Sequence, residues 1–165
     1  MAMTSDIIIR TDLKPGDLGR IITLHGEGYG REEGHFGLAF EAFVARTVAD
    51  FVIDNGAKGR VWLAERDGRL VGCTAMVDRG GKGQLRWVLV SPEARGTGLG
   101  KKLVNAAIDY AASEGWSEIT LETTTGLPAS MDLYLRLGFD VVSEEETELW
   151  NPHAQKLIHM RKPLP

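Results

Sequence analysis

Apolar residues along the chain recur with two different periods, and the period decides which segments fold as strands and which as helices. Short apolar or alternating runs predict seven strands, over 6–10, 60–65, 69–77, 84–90, 117–123, 139–146 and 155–161. Apolar residues three and four positions apart predict four helices, over about 15–26, 36–53, 98–113 and 129–137. The chain is therefore expected to combine both kinds of element in one fold.

Turn residues separate these elements and set their arrangement. Asn55-Gly56 ends the second helix, and Asp67-Gly68 joins two strands as a two-residue hairpin. A glycine-rich turn from Gly80 to Gly83 leads into the next strand, so three consecutive strands form an antiparallel meander. The order of elements predicts one α/β (α+β) domain over residues 1–165.

Composition narrows the class of protein. A chain of 165 residues with 43% hydrophobic and 25% charged residues suits a single soluble domain. The net charge of −4 argues against nucleic acid as a partner. Cys73 is the single cysteine, and the sequence has neither a signal-peptide pattern nor an apolar run of membrane-spanning length. We expect a cytoplasmic protein without a membrane partner, whose sheet edges would allow a homodimer.

A glycine-rich turn between an apolar strand and an amphipathic helix is the most informative segment. Glycines at 96, 98 and 100 follow the strand that ends in Val90, and the helix begins at once. Glycine lets the backbone approach a ligand closely, and the first N–H groups of a helix have no partner within it. Arg95 and Lys101 add positive charge, so the turn is predicted to hold a pyrophosphate. A tight connection without a ligand is the alternative.

Two well-known phosphate loops do not match this turn. A Walker A loop requires glycine where Arg95 stands and Ser or Thr where Lys102 stands. A dinucleotide-binding Rossmann turn requires its last glycine at the position of Lys101. What remains is Arg-x-x-Gly-x-Gly after a strand ending in Val90 with Pro92 two residues on, which resembles the acetyl-coenzyme A loop of the GNAT N-acetyltransferase superfamily.

A second motif makes the resemblance specific. The segment Tyr134-x-x-x-Gly138-Phe139 is similar to the one that ends the last helix of the GNAT core, and it follows the glycine turn at the right separation. The resemblance implies a central mixed, mostly antiparallel sheet flanked by helices. It also implies that the strands on either side of the glycine turn and its helix splay apart to admit the pantetheine arm.

The resemblance further implies where acetyl-coenzyme A, as the cosubstrate, is bound. Backbone groups of the preceding strand would hold the pantetheine, and the turn would hold the pyrophosphate; the residues concerned are Val88, Leu89, Val90, Arg95, Gly96, Thr97, Gly98, Leu99, Gly100 and Lys101. The N–H of Val90 would polarise the thioester carbonyl. Five cations are predicted to gather around the turn, namely Lys82, Arg86, Arg95, Lys101 and Lys102.

Catalytic roles follow from the same resemblance. Tyr134 occupies the position where many GNAT enzymes have their general acid. Glu122 ends a strand twelve residues earlier, a spacing similar to that in ribosomal-protein N-acetyltransferases, where a Glu acts as the base. Glu27, in the loop after the first helix, is the other candidate base. That loop lines the acceptor pocket in this superfamily, so the predicted acceptor-binding residues are His25, Tyr29 and His35.

The chain also departs from the family pattern. Many GNAT proteins have Asn seven residues before the Tyr, whereas this chain has Leu127, so Thr124 or Ser130 would supply that cofactor contact. The first helix and the region of Trp150 look most similar to the acetyltransferase half of MarR–GNAT fusion proteins, without the MarR part. No metal site is expected, because the histidines lack ligand spacing: His25, His35, His153 and His159.

The sequence therefore predicts an acetyl-coenzyme A-dependent N-acetyltransferase whose acceptor is a small-molecule or protein amine that attacks the thioester directly. The alternative is a GNAT-fold module that senses acyl-coenzyme A without turnover. Glu27, Glu32 and Glu33 near the acceptor loop favour a cationic amine such as a polyamine, a lysine side chain or an aminoglycoside.

Overall fold

A computed structural model of the protein describes residues 5–29, 36–148 and 155–165. Each predicted element is present there, with ends that differ from the prediction by no more than two residues. The strands are β1 (Ile8–Arg10), β2 (Gly59–Arg66), β3 (Arg69–Asp78), β4 (Gly83–Val90), β5 (Glu118–Thr124), β6 (Asp140–Thr147) and β7 (Gln155–Pro163). The helices are α1 (Asp17–Glu27), α2 (Leu38–Ile53), α3 (Leu99–Ser113) and α4 (Pro128–Arg136).

The strands form one seven-stranded sheet in the order β1-β2-β3-β4-β5-β7-β6. Only the β4–β5 pair is parallel among the described strands, so the predicted mixed, mostly antiparallel sheet is confirmed. The Asp67-Gly68 hairpin is also confirmed, because both residues adopt positive φ, of 53° and 74°, as a tight two-residue turn requires.

Helices cover both faces of the sheet, and each face has its own apolar core. The side chains of β2, β3 and β4 alternate, so one set packs on α3 and the other on α1 and α2. The α3 core is built around Leu103, Val104, Ala107, Ile119, Phe139 and Met160. The α1–α2 core is built around Ile21, Val44, Val48, Phe51, Leu63 and Trp87.

A buried carboxylate anchors the start of α1 to the sheet. Asp17, which is 1% exposed, accepts hydrogen bonds at 2.6 and 2.9 Å from the Arg10 guanidinium of β1. Arg10 also donates to Glu65 of β2 at 2.9 Å. These contacts hold the pKa of Asp17 below its usual range, mainly through the hydrogen bond from Arg10. The first helix is thereby held across the edge of the sheet.

A bulge in β4 changes which side chains face α2. The register between β3 and β4 shifts between Cys73 and Ala75, and Trp87 adopts a φ of 50° that bulky residues rarely take. Trp87 is held there because its Nε1–H donates to Thr47 Oγ1 at 2.9 Å. The Arg86 guanidinium lies 6.0 Å from the ring centre of Phe43 on the same helix. Two consecutive residues therefore point toward α2.

Strands β4 and β5 separate soon after they pair. Their parallel register consists of two pairs, Gly83 with Ile119 and Gln84 with Thr120. Beyond those pairs β4 continues along β3, whereas β5 continues along β7. A gap therefore opens in the middle of the sheet, toward the carboxyl ends of both strands.

No described helix is both long and apolar enough to cross a membrane.

Candidate active site

The glycine-rich turn presents an uncapped helix terminus. Gly96 and Gly98 adopt positive φ of 76° and 79°, and a Cβ added to either would meet no atom within 4 Å. Gly98 caps α3 without any side-chain hydrogen bond, so the N–H groups of the first helical turn have no intrahelical acceptor. Thr97 Oγ1 donates to the Ala94 carbonyl at 2.6 Å and holds the turn in shape. The terminus is therefore open to an anion.

Charge around the turn is less dense than the sequence predicts. Arg95, Lys101 and Lys102 are exposed beside it and add to the positive end of the α3 dipole. Lys82 lies at the opposite end of β4, where its Nζ is 2.8 Å from Glu118 Oε1. Arg86 faces α2 because of the bulge. The prediction that Lys82 and Arg86 surround the turn is therefore wrong, because the length and bulge of β4 carry both side chains elsewhere.

Backbone groups of β4 line the gap on an alternating pattern. The N–H of Ser91 bonds the Val71 carbonyl, and the Leu89 carbonyl faces Gly72, so both residues direct their backbone groups at β3. Val90, between them, directs its N–H and C=O away from β3 and into the gap. The Val88 carbonyl accepts a hydrogen bond from Tyr29 at 3.4 Å. Leu89, predicted to contribute backbone groups to the pantetheine site, instead pairs with Cys73.

A cavity of about 110 Å³ lies where the gap opens beneath α1, α2 and α4. It brings together side chains from four parts of the chain that are distant in sequence. The described residues that line it and bear on its chemistry are His25, Tyr29, Phe36, Phe40, Phe43, Arg86, Glu122, Thr124, Leu127, Ser130 and Tyr134. Two of the three predicted catalytic residues, Glu122 and Tyr134, are thus in one cavity.

Tyr134 projects from α4 into this cavity and is 7% exposed. Its ring packs edge-on against Phe139, 6.0 Å between ring centres. Burial raises the pKa of Tyr134 well above its ordinary value, and the nearby Tyr29 raises it further. The phenol therefore keeps its proton and can act as a donor.

Glu122 lies at the mouth of the cavity in a short chain of titratable groups. Its Oε1 is 3.6 Å from His159 Nδ1, and His159 Nε2 is 3.2 Å from Glu145 Oε1. Glu122 and His159 are register partners on β5 and β7, so their side chains share a face of the sheet. The geometry gives a carboxylate in the cavity a neighbouring imidazole that reaches solvent.

The predicted acceptor-binding residues are only partly described. His25 is 2% exposed, and its Nδ1–H donates to the Ile21 carbonyl at 2.8 Å, which leaves Nε2 as an acceptor. Burial lowers the pKa of His25 to about 4, so the ring is neutral at pH 7. Tyr29 lies next to it, with 6.0 Å between ring centres. His35 lies outside the described residues, as do Glu32 and Glu33.

Glu27 lies apart from the other two predicted catalytic residues. It lines a second cleft, between α1, the hairpin at Gly68 and the segment that follows β4. Ser91 and Glu93 line the same cleft. Gly28, at the end of α1, lies against Leu89 in this cleft, whereas Tyr29 lines the other cavity and donates to the Val88 carbonyl. The structure therefore does not bring Glu27 together with Tyr134.

Sequence patterns did not reveal two features of the cavity. Arg86 was assigned to the glycine turn, because a bulge cannot be seen in an alternating strand. His159 meets Glu122 only through the β5–β7 register, which joins residues distant in sequence. Thr124 was considered for a cofactor contact, and in the structure its buried hydroxyl has no hydrogen-bond partner among the described residues. This hydroxyl is therefore available to a ligand or to a water molecule.

Comparison with known proteins shows the family of the chain. The model of the acetyltransferase (GNAT) family matches residues 26–139. N-acetyltransferase 8F1 of Rattus norvegicus is 31% identical over 116 residues, 66% of this chain and 52% of its own. The IAA acetyltransferase of Azospirillum brasilense is 35% identical over 82 residues, 48% of this chain and 54% of its own. The chain spans about half the length of these curated relatives.

Solved structures share the fold over nearly the whole chain. The structure of yncA from Salmonella typhimurium with its cofactor acetyl-CoA has a TM-score of 0.76 at 21% identity and covers 98% of this chain and 95% of its own. The ribosomal-protein-S18-alanine N-acetyltransferase of Escherichia coli has a TM-score of 0.71 at 20% identity, covering 96% and 94%. The family match and the shared fold show that this chain belongs to the GNAT family of acetyltransferases.

Proposed function

We propose that the protein transfers an acetyl group from acetyl-coenzyme A to a primary amine by direct attack of the amine on the thioester. The observation that carries the proposal is the meeting of Glu122, Tyr134 and the β4–β5 gap in one cavity. A proton acceptor and a proton donor thereby flank a slot in the sheet. Such a pair is what acyl transfer to an amine requires.

The residues present fit acetyl-coenzyme A. The open N-terminus of α3, with Arg95 and Lys101 beside it, suits a pyrophosphate. The backbone N–H and C=O of Val90 face the gap and suit the amide groups of a pantetheine arm, which would add to the sheet like a strand. The α3 terminus suits the pyrophosphate and Val90 suits the pantetheine amides, so the two sites follow each other in the same order as the two groups of the cofactor.

The bound cofactor supplies a thioester, at which the amine nitrogen forms a bond to the acetyl carbon as the carbon–sulfur bond breaks. Glu122 accepts the proton that the nitrogen loses, and His159 lies 3.6 Å away as the next acceptor toward solvent. Tyr134 donates the proton that the sulfur gains, and solvent then restores it. The Val90 N–H, directed into the gap, is placed to stabilise negative charge on the thioester oxygen.

Glu122 is favoured over Glu27 as the base by position alone. Glu122 shares the cavity with Tyr134, whereas Glu27 lines the cleft on the other side of Leu89. A base must lie within hydrogen-bond reach of the proton that it removes, directly or through one water. In the assay described next, we expect Glu122→Gln to lower kcat far more than Glu27→Gln.

The hydroxyl of Tyr134 provides the decisive test. Tyr134→Phe is expected to lower kcat about 10²-fold or more, because the general acid is lost, while acetyl-coenzyme A affinity stays unchanged. Tyr110→Phe is the matched control. Tyr110 lies on α3, away from the cavity, and its ring packs between those of Trp62 and Trp116. Thiol release with a panel of amines gives kcat, and titration calorimetry gives the affinity for acetyl-coenzyme A.

Two outcomes would contradict the proposal. The first is tight binding of acetyl-coenzyme A with no release of its thiol in the presence of phenethylamine, spermidine, L-phenylalanine or an N-terminal peptide. That result would favour a sensor of acyl-coenzyme A. Equal kcat for Tyr134→Phe and Tyr110→Phe would remove Tyr134 from the mechanism.

A further inference from the structure

Arg86 is a half-buried cation whose guanidinium forms no hydrogen bond with the residues that the structure describes. Its side chain lines the cavity and lies over the Phe43 ring. Within the parts of the chain that the structure describes, no carboxylate or carbonyl accepts a hydrogen bond from its guanidinium. Burial lowers the pKa of Arg86, and the charge of Glu122 partly offsets that effect. A half-buried guanidinium that lines a cavity and has no carboxylate partner suits the carboxylate of a ligand.

The position of Arg86 relative to Glu122 limits the length of that ligand. The last paired residues of β4 and β5 are Gln84 and Thr120, and Arg86 and Glu122 each lie two residues farther along. Their side chains therefore stand on adjacent strands at the point where the gap begins. A ligand that places an amine at Glu122 and a carboxylate at Arg86 must carry the two groups close together, as an α-amino acid does.

The opposite wall of the cavity is aromatic. Ring centres of Tyr29 and Phe36 are 5.5 Å apart, those of Tyr29 and Phe40 are 5.1 Å apart, and those of Phe36 and Phe40 are 5.0 Å apart. Phe43 continues this wall along α2 toward Arg86. The rings of Phe36, Phe40 and Phe43 pack with apolar or aromatic groups. The wall suits the side chain of the same ligand.

We propose that the acceptor is a free α-amino acid with a large apolar or aromatic side chain, whose carboxylate binds Arg86 while its amine faces Glu122. The inference rests on the proposed acetyl transfer and uses the same step, with the proton of the amine passing to Glu122. It replaces the cationic acceptor that the sequence suggests. Of the acidic residues behind that suggestion, Glu27 lies in the other cleft, and Glu32 and Glu33 lie outside the described residues.

Four acceptors, namely L-phenylalanine, L-alanine, phenethylamine and spermidine, separate the possibilities in the native protein. L-Phenylalanine, phenethylamine and spermidine share a primary amine, but only the first has a carboxylate and only the first two have a ring. We expect kcat/KM for L-phenylalanine to exceed that for phenethylamine by at least tenfold, and L-alanine to be poorer than L-phenylalanine by a similar factor. A preference for spermidine or phenethylamine would overturn the inference while leaving acetyl transfer intact.

Arg86→Gln tests the carboxylate contact directly. We expect kcat/KM for L-phenylalanine to fall about 100-fold, mainly through KM, while that for phenethylamine changes less than threefold. Arg46→Gln is the control, because it removes an exposed cation from α2 outside the cavity. Unchanged affinity for acetyl-coenzyme A shows that the Arg86 variant is folded. If the variant does not fold, the acceptor preference of the native protein tests the inference instead. Equal losses for both acceptors would overturn the contact, whereas no turnover of any amine despite cofactor binding would overturn the proposed function.

Discussion

Burial sets the protonation state of the single side chains around the cavity. Desolvation raises the pKa of Tyr134 and lowers the pKa of His25, so both are neutral at pH 7. It also raises the pKa of Cys73 to about 12, and the thiol donates to the Trp87 carbonyl at 3.0 Å. Tyr134 therefore keeps its proton in the cavity, and Cys73 is a packed side chain of the α1–α2 core rather than a nucleophile.

The neutral state of His25 predicts a pH dependence of stability. Its pKa falls from 6.5 to about 4 on folding, so the unfolded chain binds a proton in this range and the folded chain does not. The contribution of neutral His25 to the free energy of unfolding is fully present above pH 6.5. Protonation of His25 in the unfolded chain should lower that free energy by up to about 3 kcal/mol as the pH falls toward 4. His25→Gln should flatten this part of the profile in urea unfolding. His159→Gln, at a half-exposed site, is the control, and equal slopes for both variants would disprove the assignment.

At the scale of one element, α3 has a glycine with positive φ beside each end. Gly98 precedes its first turn with a φ of 79°, and Gly115 follows its last turn with a φ of 76°. A Cβ added at either position would meet open space. The two glycines thus impose the same backbone requirement, but only Gly98 adjoins the predicted pyrophosphate site.

This symmetry gives a matched pair of variants. Gly98→Ala and Gly115→Ala should each cost about 1 kcal/mol of stability, because alanine is strained at positive φ. Only Gly98→Ala should also lower the affinity for acetyl-coenzyme A, by about tenfold or more, because the alanine methyl group would occupy space in front of the open N–H groups. Titration calorimetry with both variants measures this, and equal affinities would place the pyrophosphate elsewhere.

At the scale of the whole molecule, the gap in the sheet depends on two different partners of β4 and β5. Strand β4 is held by β3 on one side, and β5 is held by β7 on the other, so each strand keeps its pairing where the two diverge. Helices α1, α2 and α3 close the two faces of the sheet. The outer partners of the two strands therefore set the position of the slot.

Hydrogen exchange can detect occupation of this slot. Acetyl-coenzyme A should slow exchange at the amide of Val90, whose N–H faces the gap, because the pantetheine arm would accept its hydrogen bond. The amide of Ser91, already bonded to the Val71 carbonyl at 2.8 Å, is the internal reference and should change little. Residue-resolved exchange by NMR makes the comparison. Protection at Ser91 without protection at Val90 would contradict a cofactor that adds to β4.

Local patterns in the sequence are enough to predict the helices, the strands and the glycine turn. Helix and strand periods, the Asp67-Gly68 hairpin and the turn around Gly98 depend on residues within a few positions of one another, so they can be read locally. The order of these elements, with Tyr134 and Gly138 at the expected distance, also indicated the family that the comparisons show.

Which side chains meet depends on how distant segments pack together. One bulge at Trp87 turned Arg86 from the glycine turn to the cavity, the β5–β7 register placed His159 beside Glu122, and the packing of α1 on Leu89 separated Glu27 from Tyr134. Successive side chains of a strand point to opposite faces of the sheet. A bulge of one residue therefore reverses the faces of the residues beyond it, although the sequence of apolar and polar residues looks the same. Contacts between distant segments depend on packing energies that no short window of sequence contains.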